Sequence, residues 1–175
     1  MCGICGFTGQ DEDLVRRMTE VLHHRGPDQT GIYVDEHVSM GHRRLSIVDL
    51  TDHGRQPMAN EDGSVQVEAK GHAFRGRSDT EVIPHACEEW GLEGAVQRFH
   101  GMFAFAVWDR RKRRLSLARD RIGIKPLYYT WRHGRLVFAS EIKAILEDRS
   151  IPRELNRQAL YAYLGFEFVP APDTM

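Results

Sequence analysis

The chain has 175 residues, 41% of them hydrophobic and 28% charged, the proportions of an ordinary globular domain long enough to bury a core of its own. A formal charge of -1, with basic and acidic residues interspersed, offers no broad positive field to a phosphate backbone, and no apolar run approaches the roughly 20 residues that cross a bilayer, which sets aside nucleic-acid and membrane binding. Three cysteines are too few for a disulfide framework and leave an odd one over, and the N-terminus has no basic region followed by an apolar run, so the expected compartment is the cytoplasm.

Taken in chain order, Cys2-Gly-Ile-Cys-Gly-Phe-Thr8 is short, apolar and glycine-studded, and predicts a buried strand that begins at the second residue. Leu14, Val15, Met18, Val21 and Leu22 recur at helical spacing behind Asp11 and Asp13 as candidate caps, and the helix should stop before Gly26-Pro27. Arg25-Gly26-Pro27-Asp28 then reads as a turn. Residues 32–34 and 38–40 flank Asp35-Glu-His37 as a hairpin, and residues 45–48 predict a further strand. Ser78-Asp-Thr-Glu81 has the form of a capping box opening a helix that ends near Gly91. Pro84 would fall inside that helix, at a cost of about 3 kcal/mol unless the helix begins later. After a second short helix, residues 103–108 and 115–118 are strands around the basic tip Arg110-Arg-Lys-Arg-Arg114, and residues 127–131 and 135–139 are strands around His133-Gly134. So many hairpins with few helices favour an α+β layered fold over an alternating parallel sheet. The tail from Ala159 to Met175 carries Tyr161, Tyr163, Leu164, Phe166 and Phe168, and reads as the start of a second domain.

Cys2 is the first candidate for chemistry. Removal of Met1 leaves one residue with a thiol and a free α-amine, and an amine that titrates at about 7.7–8.0 can take the thiol proton near neutrality, so no histidine is required. Against this, a Cys after Met is also simply a small residue at a terminus. Cys2 and Cys5 form a Cys-x-x-Cys, which is half a zinc site or a redox pair, but His23, His24, His37, His42 and His53 supply no matching spacing for two further ligands. Cys87 is isolated and reads as core. Arg25, Asp28, Arg44, Asp79 and Arg119-Asp120-Arg121 are each read as surface pairs or caps when taken singly. Together they offer both signs of charge that a zwitterionic ligand needs: an Arg to clamp a carboxylate and an Asp to receive an ammonium.

These residues also carry a family resemblance. Met1-Cys-Gly-Ile-Cys-Gly-Phe7, His24-Arg-Gly-Pro-Asp28, Gly41-His-Arg-Arg-Leu-Ser-Ile-Val-Asp-Leu50, Gln56-Pro-Met58, Ser78-Asp-Thr-Glu81, Gly101-Met-Phe-Ala-Phe-Ala-Val-Trp-Asp109, Ala118-Arg-Asp-Arg-Ile-Gly-Ile-Lys-Pro-Leu-Tyr-Tyr129 and Ala139-Ser-Glu-Ile-Lys-Ala144 resemble, in order, class II glutamine amidotransferases of the asparagine synthetase type. The resemblance implies the α+β fold of N-terminal-nucleophile hydrolases, a four-layer αββα sandwich with two antiparallel sheets. It divides the chain into an amidotransferase domain over residues 1–155 and, over 156–175, the truncated start of an asparagine synthetase domain. It implies that Cys2 attacks the side-chain amide of L-glutamine, that Arg44 holds the substrate carboxylate, that Leu45, Ser46, Ile47 and Val48 line the site, and that Asp79 accepts the α-amino group. The partner it implies is a synthetase domain in the same chain, which uses ATP and Mg and receives the ammonia to make asparagine; no cofactor or metal is expected in the glutaminase part. A homodimer is left open.

The resemblance has one large gap. Family members carry a strand reading Asn-Gly-Glu-Ile-Tyr-Asn and then a helix, between the equivalents of Ser64 and Gly71, and its Asn side chain and Gly amide form the oxyanion hole. Here Val65-Gln-Val-Glu-Ala-Lys70 fills that interval. Asn60 comes too early in the pattern to replace the asparagine, and Asn156 belongs to the tail. The oxyanion donors are therefore unassigned, and hydrolysis is expected to be impaired.

Overall fold

A computed structural model describes residues 1–47, 50–58, 79–170 and 173. The elements are β1 (Gly3–Thr8), α1 (Glu12–Val21), β2 (Gln29–Val34), β3 (Val38–Arg44), α2 (Val82–Arg98), β4 (Ala104–Asp109), β5 (Arg114–Arg119), β6 (Tyr128–Arg132), β7 (Arg135–Ala139), α3 (Ile142–Ile145) and α4 (Arg157–Phe166). Among the described residues the strands form two antiparallel sheets, one in the order β2-β3-β1-β7-β6 and the other the hairpin β4-β5. The fold is α+β, as expected.

Alternation along β1 divides the molecule. Cys5 and Phe7 point toward α1, where they are buried with Leu14, Val15, Met18 and Leu22 of the helix, Val137 and Ala139 of β7, and Ala144 and Ile145 of α3. Those helical residues recur at the spacing that puts one apolar stripe on a helix, and each large side chain removed from water stabilises the fold by about 1.5–3 kcal/mol. Asp11 caps α1, its Oδ1 accepting from the Leu14 N–H at 2.8 Å. Gly41 of β3 allows the helix to sit this close, because a Cβ there would collide with Thr19 Oγ1.

The hairpins form where the pattern places them. β2 and β3 are joined through Asp35, whose Oδ1 accepts from the N–H groups of His37 (2.8 Å) and Val38 (2.9 Å). Its Oδ2 accepts from Tyr33 Oη and from Trp108 Nε1 of β4, both at 2.8 Å, which ties the two sheets together. The β6–β7 turn is made by His133 (φ 50°) and Gly134 (φ 75°), the left-handed pair that a two-residue hairpin loop needs.

Two local expectations are corrected. The strand predicted over 45–48 is not formed over its described residues 45–47: β3 ends at Arg44, where its pairing with β2 ends at Gln29, and Asp28 takes the Ser46 N–H that a ladder would have used. Val48 lies outside the described residues. Helix α2 begins at Val82 after a 3₁₀ turn over Asp79–Glu81, with Glu81 at the cap position and without a side-chain cap bond. Ser78 lies outside the described residues. Pro84 is thereby the third residue of α2, where its missing N–H has no helical acceptor to lose, and the helix is broken at Gly91 (φ 67°, ψ 167°). The tail forms α4, capped by Asn156 Oδ1 and ended by Glu167 at φ 60°; only Ala159 of this helix is buried, and Tyr161, Tyr163, Leu164 and Phe166 are exposed.

Candidate active site

The register of β1 against β3 pairs Gly3 with Arg43, and continuing it by one residue sets Cys2 opposite Arg44. On the other side of β3, Arg44 pairs with Gln29. Since Cys5 faces α1, the alternation of the pleat puts Cys2, Arg44 and Gln29 along one row on the opposite face. The Cys2 sulfur lies 3.4 Å from the Leu45 N–H and 3.7 Å from the Leu45 carbonyl oxygen. The nucleophile candidate thus abuts the first residue of the expected glutamine-binding stretch. Ser46 follows with its N–H on Asp28, and Ile47 is exposed.

Arg44 is buried, and its Nη1 donates to Gln29 Oε1 (2.7 Å) and to the Thr51 carbonyl (2.9 Å). Gln29 in turn donates through Nε2 to Asp52 Oδ1 at 3.1 Å, so the guanidinium is held by a small network. Gly54 gives it room, since a Cβ at that position would collide with Nη2. His42, next in line on the same face of β3, is buried with Nδ1 unpartnered among the described residues. Burial, and then the charge of Arg44, lower its pKa to about 4, so it is neutral at physiological pH.

Arg25 grips Cys2 by its backbone: Nε donates to the Cys2 carbonyl at 3.1 Å while Nη1 donates to Glu141 Oε1 at 2.9 Å. Glu141 also meets His24 Nε2 at 2.8 Å and Lys143 Nζ at 3.2 Å. Partial burial favours its neutral form, but the hydrogen bonds from Arg25, His24 and Lys143 prevail and lower its pKa to about 2. Ser140 fastens the start of β1, accepting from the Ile4 N–H at 2.9 Å and donating its own N–H to the Ile4 carbonyl at 2.8 Å.

Asp79 sits in the 3₁₀ turn before α2, and its side chain lies outside the described residues. The turn is tied toward the sheet through Thr80, whose Oγ1 receives Gln56 Nε2 at 3.1 Å, and the Gln56 carbonyl packs so closely on Gly31 of β2 that a Cβ there has no room. Arg119, Asp120 and Arg121 are not part of the cluster. Asp120 accepts from the N–H groups of Ile124 and Lys125, while Arg119 and Arg121 donate to main-chain carbonyls. Arg119 and Asp120 organise the connection between β5 and β6, and Arg121 ties it to the end of α2.

The two thiols of the Cys-x-x-Cys are three residues apart on an extended chain and so face opposite ways. Cys5 is in the α1 core, within 3.3 Å of Thr19 Oγ1, and burial pushes its pKa up to about 12. Cys87 is likewise pushed up by burial, to about 11. Cys2 alone of the three is exposed, so a metal or redox pair made of Cys2 and Cys5 has no geometric basis. No local signal marks Gln29, Thr51, Gly54 and Glu141 as neighbours of Cys2 and Arg44: Gln29 arrives by strand register, Thr51 and Gly54 by the segment after β3, and Glu141 by the loop after β7.

Cys2 thus stands at the head of a central strand, opposite the buried Arg44 of its antiparallel neighbour. The fold agrees with that of glutamine phosphoribosylpyrophosphate amidotransferase from Bacillus subtilis complexed with ADP and GMP (TM-score 0.64, 20% identity, 82% of this chain and 43% of that one). The glutamine amidotransferase domain family matches residues 1–175, and the chain belongs to that family. It is 38% identical over 199 residues to asparagine synthetase [glutamine-hydrolyzing] 1 of Bacillus subtilis, covering 100% of this chain and 31% of the relative. It is also 41% identical over 169 residues to asparagine synthetase [glutamine-hydrolyzing] 2 of Oryza sativa, covering 85% of this chain and 28% of the relative. The chain thus spans about a third of the length of these curated relatives. The first alignment runs over 199 positions for 175 residues, so at least 24 positions of that relative face gaps in the chain.

Proposed function

We propose that the chain is the glutamine-hydrolysing unit of an asparagine synthetase, with Cys2 as nucleophile. The observation that carries this is the juxtaposition of Cys2 with Arg44 and the Leu45 main chain on one face of adjacent strands. Once Met1 is removed, the α-amine of Cys2 takes the thiol proton as sulfur attacks the side-chain carbonyl of glutamine. The C–N bond then breaks, the amine returns the proton to the leaving nitrogen, and ammonia departs from a glutamyl thioester that water hydrolyses to glutamate, regenerating the thiol. Arg44, steadied by Gln29 and Thr51, clamps the substrate carboxylate; residues 45–48 line its chain and Asp79 receives its ammonium. Intact mass of the expressed protein tests the first step, and quantitative retention of Met1 would exclude the α-amine as base.

The ammonia would serve ATP-dependent asparagine synthesis in a synthetase domain of the same chain, a reading supported by relatives about three times as long as the matched region. ATP and Mg belong to that domain. No helix among the described residues is long and apolar enough to cross a membrane, and a cytoplasmic site of action is the accompanying proposal.

Turnover by this chain is proposed to be impaired. The family's Asn-Gly pair has no counterpart in Val65-Gln-Val-Glu-Ala-Lys70, a segment outside the described residues, and the gapped alignment supports a missing segment. Losing even one oxyanion donor costs on the order of 10²–10³ in rate. A second reading, a glutamine-binding domain without turnover, rests on the same observation. A chloroketone analogue of glutamine should label Cys2 while hydrolysis of glutamine stays near background. Inserting an Asn-Gly-Glu-Ile-Tyr-Asn strand and its helix between Val67 and Gly71 should restore hydrolysis. Robust hydrolysis by the chain as it stands would refute the impairment, and absence of labelling would refute the site.

A further inference from the structure

The turn Arg25-Gly26-Pro27-Asp28 touches both strands that carry the site, and we propose that it is a positioning device for the nucleophile, in which Asp28 sets the Leu45 N–H against the Cys2 sulfur. The proposal rests on the reading of Cys2 as the reacting group. At one end of the turn, Arg25 donates to the Cys2 carbonyl at 3.1 Å and is itself held by Glu141. At the other end, Asp28 makes two bonds that bracket Leu45: its N–H donates to the Arg44 carbonyl at 3.1 Å, and its Oδ2 accepts from the Ser46 N–H at 2.7 Å. The peptide between those anchors has little freedom left. Its N–H is directed at Cys2 Sγ, 3.4 Å away.

The middle of the turn adds rigidity. Gly26 lies against the Arg43–Arg44 peptide so closely that any Cβ would strike its backbone, and Pro27 fixes its own φ. One four-residue segment therefore holds Cys2 by its carbonyl and holds the peptide that faces its sulfur. An N–H aimed at a sulfur that carries negative charge strengthens as that charge develops, and it directs the attacking lone pair without having to reorganise. Asp28 touches neither substrate nor sulfur; it acts through the Ser46 N–H and the Leu45 amide.

The test uses the whole 175-residue chain. With a chloroketone analogue of glutamine, the Cys2 sulfur forms a C–S bond to the chloromethyl carbon as the C–Cl bond breaks. Chloride leaves with the electron pair, and the thiol proton passes to solvent. Asp28→Ala removes the acceptor for the Ser46 N–H, and Asp28→Asn keeps a carbonyl oxygen in its place. Asp28→Ala is expected to lower the maximal labelling rate by about tenfold, because the Leu45 N–H remains but is no longer held in its aim, with the half-saturating concentration within about twofold. Asp28→Asn should return the maximal rate to within about threefold of the parent.

An unchanged maximal rate in Asp28→Ala, an effect confined to the half-saturating concentration, or an Asp28→Asn variant as slow as Asp28→Ala would overturn the proposal. Should Asp28→Ala fail to fold, Asp28→Glu replaces it, since it keeps the charge but advances the carboxylate by one methylene. It should label at least about threefold more slowly than Asp28→Asn, and equal rates would overturn the proposal. If the parent chain reacts with iodoacetamide at Cys2 but not with the chloroketone, the glutamine site is wrong. The same order of variants read with iodoacetamide then decides the positioning role by itself.

Discussion

The two faces of the five-stranded sheet put the same chemical groups to opposite ends. On the α1 face, Cys5 is enclosed by Leu14, Val15 and Met18, is bonded to Thr19, and is held as a neutral thiol by burial. On the other face, three residues earlier on the same extended chain, Cys2 is exposed beside a main-chain N–H and an arginine row. Position along a strand assigns a face, and the face decides whether a thiol is sealed in the core or open to a reagent.

Removing one thiol or the other should have the largest effect. Cys2→Ala should abolish labelling by the chloroketone analogue, whereas Cys5→Ala should retain it, with peptide mass spectrometry locating the adduct. Label on Cys5 or Cys87 would show that burial does not silence them.

Next in size is the arginine row. Arg44→Ala should weaken binding of the glutamine analogue by at least about thirtyfold, because a charge-assisted carboxylate clamp is lost. Arg113→Gly, at the exposed hairpin tip where φ is 49°, should change it by less than about twofold. Calorimetry on both variants is the measurement, and equal losses would remove Arg44 from the site.

The closed face can be opened instead. Gly41→Ala should cost about 1–3 kcal/mol of stability, because the new methyl meets Thr19 Oγ1 and forces α1 away from β3. A urea midpoint unchanged from the parent would mean that the contact between α1 and β3 yields freely.

The smallest effect is a pH dependence. His42 has a pKa of about 4 in the folded chain against an ordinary 6.5, so the unfolded chain binds more protons between those values. Stability contributed by neutral His42 is complete above about 6.5 and is lost as pH falls toward 4. Glu141, with a pKa of about 2 against an ordinary 4.5, contributes stability that is present above 4.5 and lost below it. His42→Gln should flatten the urea midpoint between pH 6.5 and 4 and leave the lower limb in place. The same slope in parent and variant would place the titration elsewhere.

Elements that depend on neighbours in the chain are legible in the sequence: the strand at Cys2, the amphipathic helix behind Asp11, three hairpins with their turn residues, and the motifs that mark the glutamine amidotransferase family. It pointed to Cys2, Arg44, residues 45–48 and Asp79 through the resemblance. It misplaced what depends on partners far along the chain. The strand expected over 45–48 is absent from 45–47, where Asp28 takes the Ser46 N–H. Gln29 beside Arg44, Glu141 beneath Arg25 and Leu45 against Cys2 meet across separations of 15, 116 and 43 residues. Periodicity and capping are local and can be read along the chain, whereas these contacts depend on which strands pair, in which register, and on how the flanking turns close beside them, and no run of neighbouring residues encodes that.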